Sequence, residues 1–175
     1  MTTHLAALMM TCAPLVHPAT LHALIDVESA GNPYAVSINR PAALERAGIE
    51  VPRYEQPQCP SAAMQLIRSL SALGFSTSVG LAQINVEHLR VLGVRLPELL
   101  NPCKNLSLAQ RILLDCDASQ AQRSLVSVHR RLRRTLTCYN SGRFEGDPAN
   151  HYASDIARAA ARQARRVAKL ARSPL

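Results

Sequence analysis

Apolar residues recur at three- and four-residue intervals along most of this sequence, and proline or glycine cuts the pattern into short pieces. That spacing puts them on one face of a helix. Residues 4–13 read as a first apolar helix, ended by Cys12-Ala-Pro14. Pro18 suits the first turn of a second helix, where Leu21, Leu24 and Ile25 share a face until Gly31-Asn32-Pro33 stops it. Leu66, Ile67 and Leu70 mark a third helix ending near Gly74, and Leu89 and Leu92 a short one before Gly93. Leu106, Ala109, Ile112, Leu113 and Cys116 form one later face; Leu125, Val128, Leu132, Leu136 and Tyr139 form another. A last helix over about 152–172 is expected to turn Ile156, Ala160, Val167 and Leu170 inward. Residues 39–60 break the rule, with Pro41, Pro52, Pro57 and Pro60 and no helical period. Ile49–Tyr54 there is expected to be a short strand or hairpin arm, and Ser76-Thr77-Ser78 a turn. The pattern predicts a mainly α fold, a helical bundle with a small irregular or β segment near 39–60.

A chain of 175 residues suits one domain with one core. It has no apolar run of about 18 residues, so no membrane-spanning helix is expected. The net charge of +8 is uneven. Residues 1–120 hold 8 Lys/Arg against 9 Asp/Glu, whereas residues 121–175 hold 12 against 3. The excess therefore lies in the last third, where the final helix carries Arg158, Arg162, Arg165, Arg166, Lys169 and Arg172. Such a face is either simply solvated or meets an anionic partner.

Five cysteines occur, at 12, 59, 103, 116 and 138, none in a C-x-x-C pair. Two disulfides and one leftover thiol fit an exported protein; five reduced, buried thiols fit a cytosolic one. Leu5–Met10 is a short apolar run with no basic residue before it, so it reads as part of the first helix and not as a signal peptide. The six histidines are scattered without an H-E-x-x-H pattern, and no metal or cofactor is expected.

Glu28 is the odd member of its helix. It follows Leu24 by four residues and Ile25 by three, so it shares their stripe, while Asp26 sits about 160° away. An acid on an apolar face is either paired or kept protonated by desolvation. A carboxyl that is protonated near neutrality is what a general acid requires. The simpler reading is a glutamate at the core rim, bonded to backbone.

The residues around Glu28 carry a resemblance. Glu28-Ser29-Ala30-Gly31-Asn32-Pro33-Tyr34-Ala35-Val36-Ser37 resembles the Glu-Ser…Asn-Pro…Ala…Ser motif of lytic transglycosylases of the soluble-lysozyme type. Gly80-Leu81-Ala82-Gln83-Ile84-Asn85 is similar to their Gly-Leu-Met-Gln-Ile motif, and Cys138-Tyr139-Asn140-Ser141-Gly142 to their Ala-Tyr-Asn-Ala-Gly motif. Tyr152 stands where a later family tyrosine does. Asn101-Pro-Cys-Lys-Asn-Leu106, with Asn32-Pro-Tyr-Ala and Gln83-Ile-Asn85, resembles the VirB1-like group of type IV secretion systems. Related enzymes of type III secretion and pilus systems share much of this pattern.

The resemblance implies a lysozyme-like α+β domain over 1–155 and a basic helical extension, 156–175, packed on it. It implies cleavage of the β-1,4 bond between N-acetylmuramic acid and N-acetylglucosamine, with muramic O6 attacking its own C1 to leave a 1,6-anhydro sugar. Ordinary glycosidases use two carboxylates about 5–9.5 Å apart. Here the substrate supplies the nucleophile, so one carboxyl suffices, and the resemblance assigns it to Glu28. Ser37 is expected to bond Glu28 or the sugar. Gly80, Gln83, Tyr139, Asn140 and Tyr152 are expected to line the glycan site. Ala82, in place of the family methionine, is expected to widen a subsite, and Asn85 to cap the next helix.

The expected disulfides are Cys12–Cys103 and Cys116–Cys138, with Cys59 left over. A thiol nucleophile at Cys138 with His129 or His151 lacks any supporting signature. The implied location is the periplasm, and the implied partners are peptidoglycan strands and, through the basic helix, secretion components. Competing readings are a docking protein that keeps the fold without the activity, and a nucleic-acid-binding module over 121–175. The second lacks aromatic interleaving or a DNA-binding motif.

Overall fold

The computed structural model describes residues 3–39, 41–120, 127–143 and 151–172. Helices dominate. In chain order they are α1 (Thr3–Cys12), α2 (Pro18–Ser29), α3 (Pro41–Arg46), α4 (Pro60–Ala72), α5 (Leu89–Leu92), α6 (Leu96–Leu99), α7 (Pro102–Ala118), α8 (Val128–Ser141) and α9 (Tyr152–Arg172). Three short strands, β1 (Val36–Ile38), β2 (Thr77–Val79) and β3 (Ile84–Asn85), form one antiparallel sheet in the order β1-β2-β3. Val36 pairs with Val79, and Ser78 with Asn85. The chain divides into two compact units, Met1–Val27 with Ala109–Leu175, and Glu28–Leu108.

In the first unit the apolar stripe of α2 is real. Leu21, Ala23, Leu24 and Ile25 are essentially buried, each larger side chain contributing about 1.5–3 kcal/mol. The Leu15 N–H donates to Gln110 Oε1 at 2.7 Å, tying the α1–α2 connection to α7. A Cys116–Cys138 disulfide joins α7 to α8. Beside it Gln120 Nε2 donates to Thr135 Oγ1 at 2.9 Å, and Arg131 Nε donates to Asp117 Oδ1 at 2.6 Å. Helix α9 packs on α8 and runs unbroken from Tyr152 to Arg172, burying Ala153, Ile156 and Ala159.

Parts of the predicted faces differ. On α8, Leu136 is buried but Val128 and Leu132 are exposed, at 84% and 41%. Val128 is the first residue of α8, a turn capped by the Ser127 hydroxyl and left uncovered by apolar side chains among the described residues. Val167 on α9 is also exposed. Leu125, and the side chains of Leu170 and Arg172, lie outside the described residues.

In the second unit the β content lies beside residues 39–60 and not within them. Ile49–Tyr54 is neither strand nor hairpin arm, and α3 occupies the start of the segment. The segment serves β1 through its side chains instead. The Gln56 amide pairs with both backbone groups of Val36, accepting from its N–H and donating to its carbonyl, each at 3.0 Å. The Tyr54 hydroxyl also donates to Val36 O, at 3.3 Å. Burial pushes the Tyr54 hydroxyl up, against a backbone hydrogen bond from Ile38. A proline-rich stretch cannot supply a regular backbone ladder, and two side chains take its place.

Ser76-Thr77-Ser78 is also not a turn. Thr77 and Ser78 are buried in β2, and Asn39 accepts from Ser78 Oγ while donating to Ser76 Oγ, both at 2.7 Å. The Ser76 and Ser78 hydroxyls that suggest a loop are thus bonded to Asn39, whereas Thr77 Oγ1 is buried with no hydrogen-bond partner among the described residues.

Candidate active site

The expected acid sits at the end of α2. Glu28 is the penultimate residue of that helix and is half-buried. Asp26 is exposed, as the helical wheel requires, and pairs with Arg162 of α9 at 3.6 Å. The helix stops immediately beyond Glu28 because the backbone turns left-handed at Ala30 (φ 50°) and Gly31 (φ 84°). Gly31 tolerates this; Ala30 is strained by it. Asn32 then closes a side-chain turn, its Oδ1 accepting from the Tyr34 N–H at 2.9 Å. It also donates from Nδ2 to Pro57 O at 3.0 Å. These bonds lead the chain directly from Glu28 into β1.

Ser37, Gly80 and Gln83 come together at the end of the sheet. Ser37 lies on β1 and donates its hydroxyl to Gln83 Oε1 at 2.7 Å. The other end of the Gln83 amide donates to Ala35 O at 3.1 Å and Gly80 O at 2.9 Å. Both Gln83 protons are therefore committed to backbone, and its side chain acts as a brace across the β2–β3 turn. Gln83 itself holds a left-handed backbone (φ 49°), as does Gly80 (φ 85°).

Ala82 is 0% exposed, so its methyl is closed off from solvent. Asn85 behaves as the sequence suggests: its Oδ1 accepts from the Glu87 N–H at 2.8 Å and caps the following 3₁₀ turn.

Two residues of this region escaped the sequence reading. Ser29 was legible only as a motif letter; its hydroxyl donates to Leu81 O at 2.8 Å, so the end of α2 is bonded to the β2–β3 turn. Asn105 on α7 is 0% exposed. Its Oδ1 accepts from the Ala82 N–H at 2.9 Å, and its Nδ2 donates to Val79 O and Leu99 O at 2.9 and 3.0 Å. The one signal for it was its place in the Asn101–Leu106 run.

Tyr139, Asn140 and Tyr152 belong to the first unit. Tyr139 is half-buried and Asn140 exposed in the last turn of α8. Gly142, left-handed at φ 69°, ends that helix with its N–H on Cys138 O at 2.7 Å. Tyr152 is the first residue of α9 and is half-buried. Cys138 is locked in its disulfide, which excludes it as a thiol nucleophile. Cys12 and Cys103 are also disulfide-bonded, and Cys59 is a free, exposed thiol. Among the described residues no three His, Cys, Asp or Glu side chains gather as a metal site, and no helix is long and apolar enough to cross a membrane.

The Transglycosylase SLT domain family model matches residues 6–160. The type IV secretion system protein virB1 of Brucella suis biovar 1 is 34% identical over 135 residues, 77% of this chain and 52% of that protein. Protein virB1 of Agrobacterium fabrum is 33% identical over 151 residues, 85% of this chain and 56% of that protein. The chain thus spans about half the length of the curated relatives it matches. No solved structure gives a significant match. A family match across most of the chain, together with the Glu-Ser helix end and the Gly-Leu-Ala-Gln turn bonded to each other, means that this chain belongs to the SLT transglycosylase domain family.

Proposed function

We propose that the chain is a peptidoglycan lytic transglycosylase, with Glu28 as its single acid–base group. Glu28 protonates the glycosidic oxygen as the bond from C1 of N-acetylmuramic acid breaks. The resulting carboxylate then takes the proton of the muramic O6 hydroxyl as O6 bonds to C1. The products are a 1,6-anhydro sugar and a free N-acetylglucosamine hydroxyl, and no water is consumed. The N-acetyl group of the muramic residue stabilises positive charge at C1.

The supporting observation is the hydrogen bond from Ser29 to Leu81, which ties the Glu-Ser helix end to the Gly-Leu-Ala-Gln turn within one unit. Ser37 and Gln83 hold that turn, and Gly80 lets the backbone run without a side chain there. Tyr139, Asn140 and Tyr152 are assigned to glycan binding.

The relatives' printed role in type IV secretion supports a place in the periplasm, where the enzyme opens the wall for a secretion apparatus. Residues 1–155 are read as the transglycosylase domain and 156–175 as a basic extension that docks anionic wall polymer or a secretion component. The deciding experiment is mass spectrometry of purified sacculi digested by wild type and Glu28→Gln. Wild type is expected to release 1,6-anhydromuropeptides, and the variant to lose about 100-fold or more of that rate while remaining folded. Hydrolytic products, or an active Gln variant, overturn the reading.

A further inference from the structure

We infer that Asn105 is a positioning residue for Glu28, acting through the turn from Val79 to Gln83; this rests on the transglycosylase reading for what Glu28 does. Asn105 grips that turn at two points, Val79 O and the Ala82 N–H, and anchors the grip on Leu99 O. Both protons and one oxygen of a fully buried amide are used. The first of the two residues between these points, Gly80, has no side chain for a steric reason. A Cβ on Gly80 would lie 2.3 Å from Asn105 Nδ2 and 2.7 Å from its Cγ. Gly80 and Asn105 are thus one fit, and the glycine of the motif is explained by a residue 25 positions away.

The turn held in this way offers the Leu81 carbonyl to the Ser29 hydroxyl at 2.8 Å. Ser29 adjoins Glu28, at a point where α2 ends and the backbone reverses through Ala30 and Gly31. The path from Asn105 to the acid is therefore amide, turn, carbonyl, hydroxyl and helix end, all inside Glu28–Leu108. Only an amide of this size can both accept from Ala82 and donate twice. Aspartate lacks the donors, serine lacks the reach, and leucine lacks both. A displacement of about 1 Å in a reacting group can lower a rate about 100-fold.

The test compares the full chain as wild type, Glu28→Gln, Asn105→Ala, Asn105→Ser and Gly80→Ala on soluble glycan strands. Melting curves fix a temperature at which each variant assayed is folded. The expected result is a loss in kcat of about tenfold or more for a folded Asn105 variant and for Gly80→Ala. KM is expected to stay within about threefold, and the Ala82 amide to exchange faster with solvent. A folded Asn105 variant with wild-type kcat overturns the inference, as does a loss confined to KM. If none of the three variants folds, Asn105 is a residue of the fold and the inference falls. Wild type and Glu28→Gln separate the two levels. If they do not differ, the transglycosylase reading fails and takes the inference with it. If they differ while the Asn105 variants match wild type, only the inference fails.

Discussion

The Ser37 hydroxyl donates to Gln83 Oε1 at 2.7 Å, joining the first strand to the turn that follows the second. The bond is one of three made by the Gln83 amide; the others reach Ala35 O and Gly80 O. Ser37→Ala removes one donor and is expected to cost about 1 kcal/mol. Gln83→Ala removes that bond and the two to Ala35 O and Gly80 O, carbonyls that each keep a backbone N–H donor, and is expected to cost about 2–3 kcal/mol. Urea unfolding measures both. Equal losses would mean that the two backbone bonds contribute nothing.

Ala30 carries a left-handed backbone without being glycine, two residues beyond Glu28. That conformation costs an L-residue about 1–2 kcal/mol. Ala30→Gly relieves it, less the extra freedom glycine gains in the unfolded chain. The net expectation is a gain of about 0.5–1 kcal/mol in chemical denaturation. A less stable variant would contradict the strain argument.

The Cys116–Cys138 bridge closes a loop with a sequence separation of 22. A loop of that size restrains the unfolded chain by about 3 kcal/mol. The double variant Cys116→Ala/Cys138→Ala should lose about that much. Because Cys138 precedes Tyr139 and Asn140, the same variant should loosen the last turn of α8, seen as faster amide exchange there. Unchanged exchange would show the helix holding without the bridge.

Asp117 pairs with Arg131, whose side-chain hydrogen bonds hold the carboxyl below the usual aspartate range, helped by Thr135. The folded value is thus lower than the unfolded one. Its stabilisation is complete above the unfolded pKa of about 3.9 and is lost as pH falls through the folded value. The pair is partly exposed, so the effect stays below about 1 kcal/mol and shrinks with salt. Asp117→Asn should flatten the stability profile in that acid range and leave its neutral-to-alkaline slope unchanged. An unchanged acid limb would refute the assignment.

Cys59 is the thiol expected to react in the oxidised protein. The Ser61 hydroxyl, helped by the Ala62 backbone, lowers its pKa and favours the thiolate. Alkylation without reductant should label one site per chain, at position 59, and Cys59→Ser should abolish it. Labelling at Cys12, Cys103, Cys116 or Cys138 would show a disulfide absent.

The helices were legible where a stripe meets a core. Leu106, Ala109, Leu113 and Cys116 read as one face and are buried as one. Val128 and Leu132 continued a good pattern yet stand exposed. Periodicity records what a residue could bury, not whether a neighbour arrives. The strands were illegible because two or three residues cannot display alternation, and because β2 buries Thr77 and Ser78 where polar letters suggest a loop. In the site, Glu28 stood out by its position among Leu24 and Ile25. Asn105 did not, since its role is fixed by Ala82, Val79 and Leu99, and no local pattern encodes a partner 23 residues back.

Gln56 and Tyr54 have a consequence for the molecule in company. β1 is an outer strand, and an outer strand ordinarily invites another chain to add itself by backbone pairing. Here the outward groups of Val36 are already taken, the Gln56 amide standing in for a peptide unit of the missing neighbour. A strand from a second copy would first have to displace it. The proline-rich segment that is not a strand therefore acts as a stopper on the sheet, and it guards the folded chain against self-association at high local concentration.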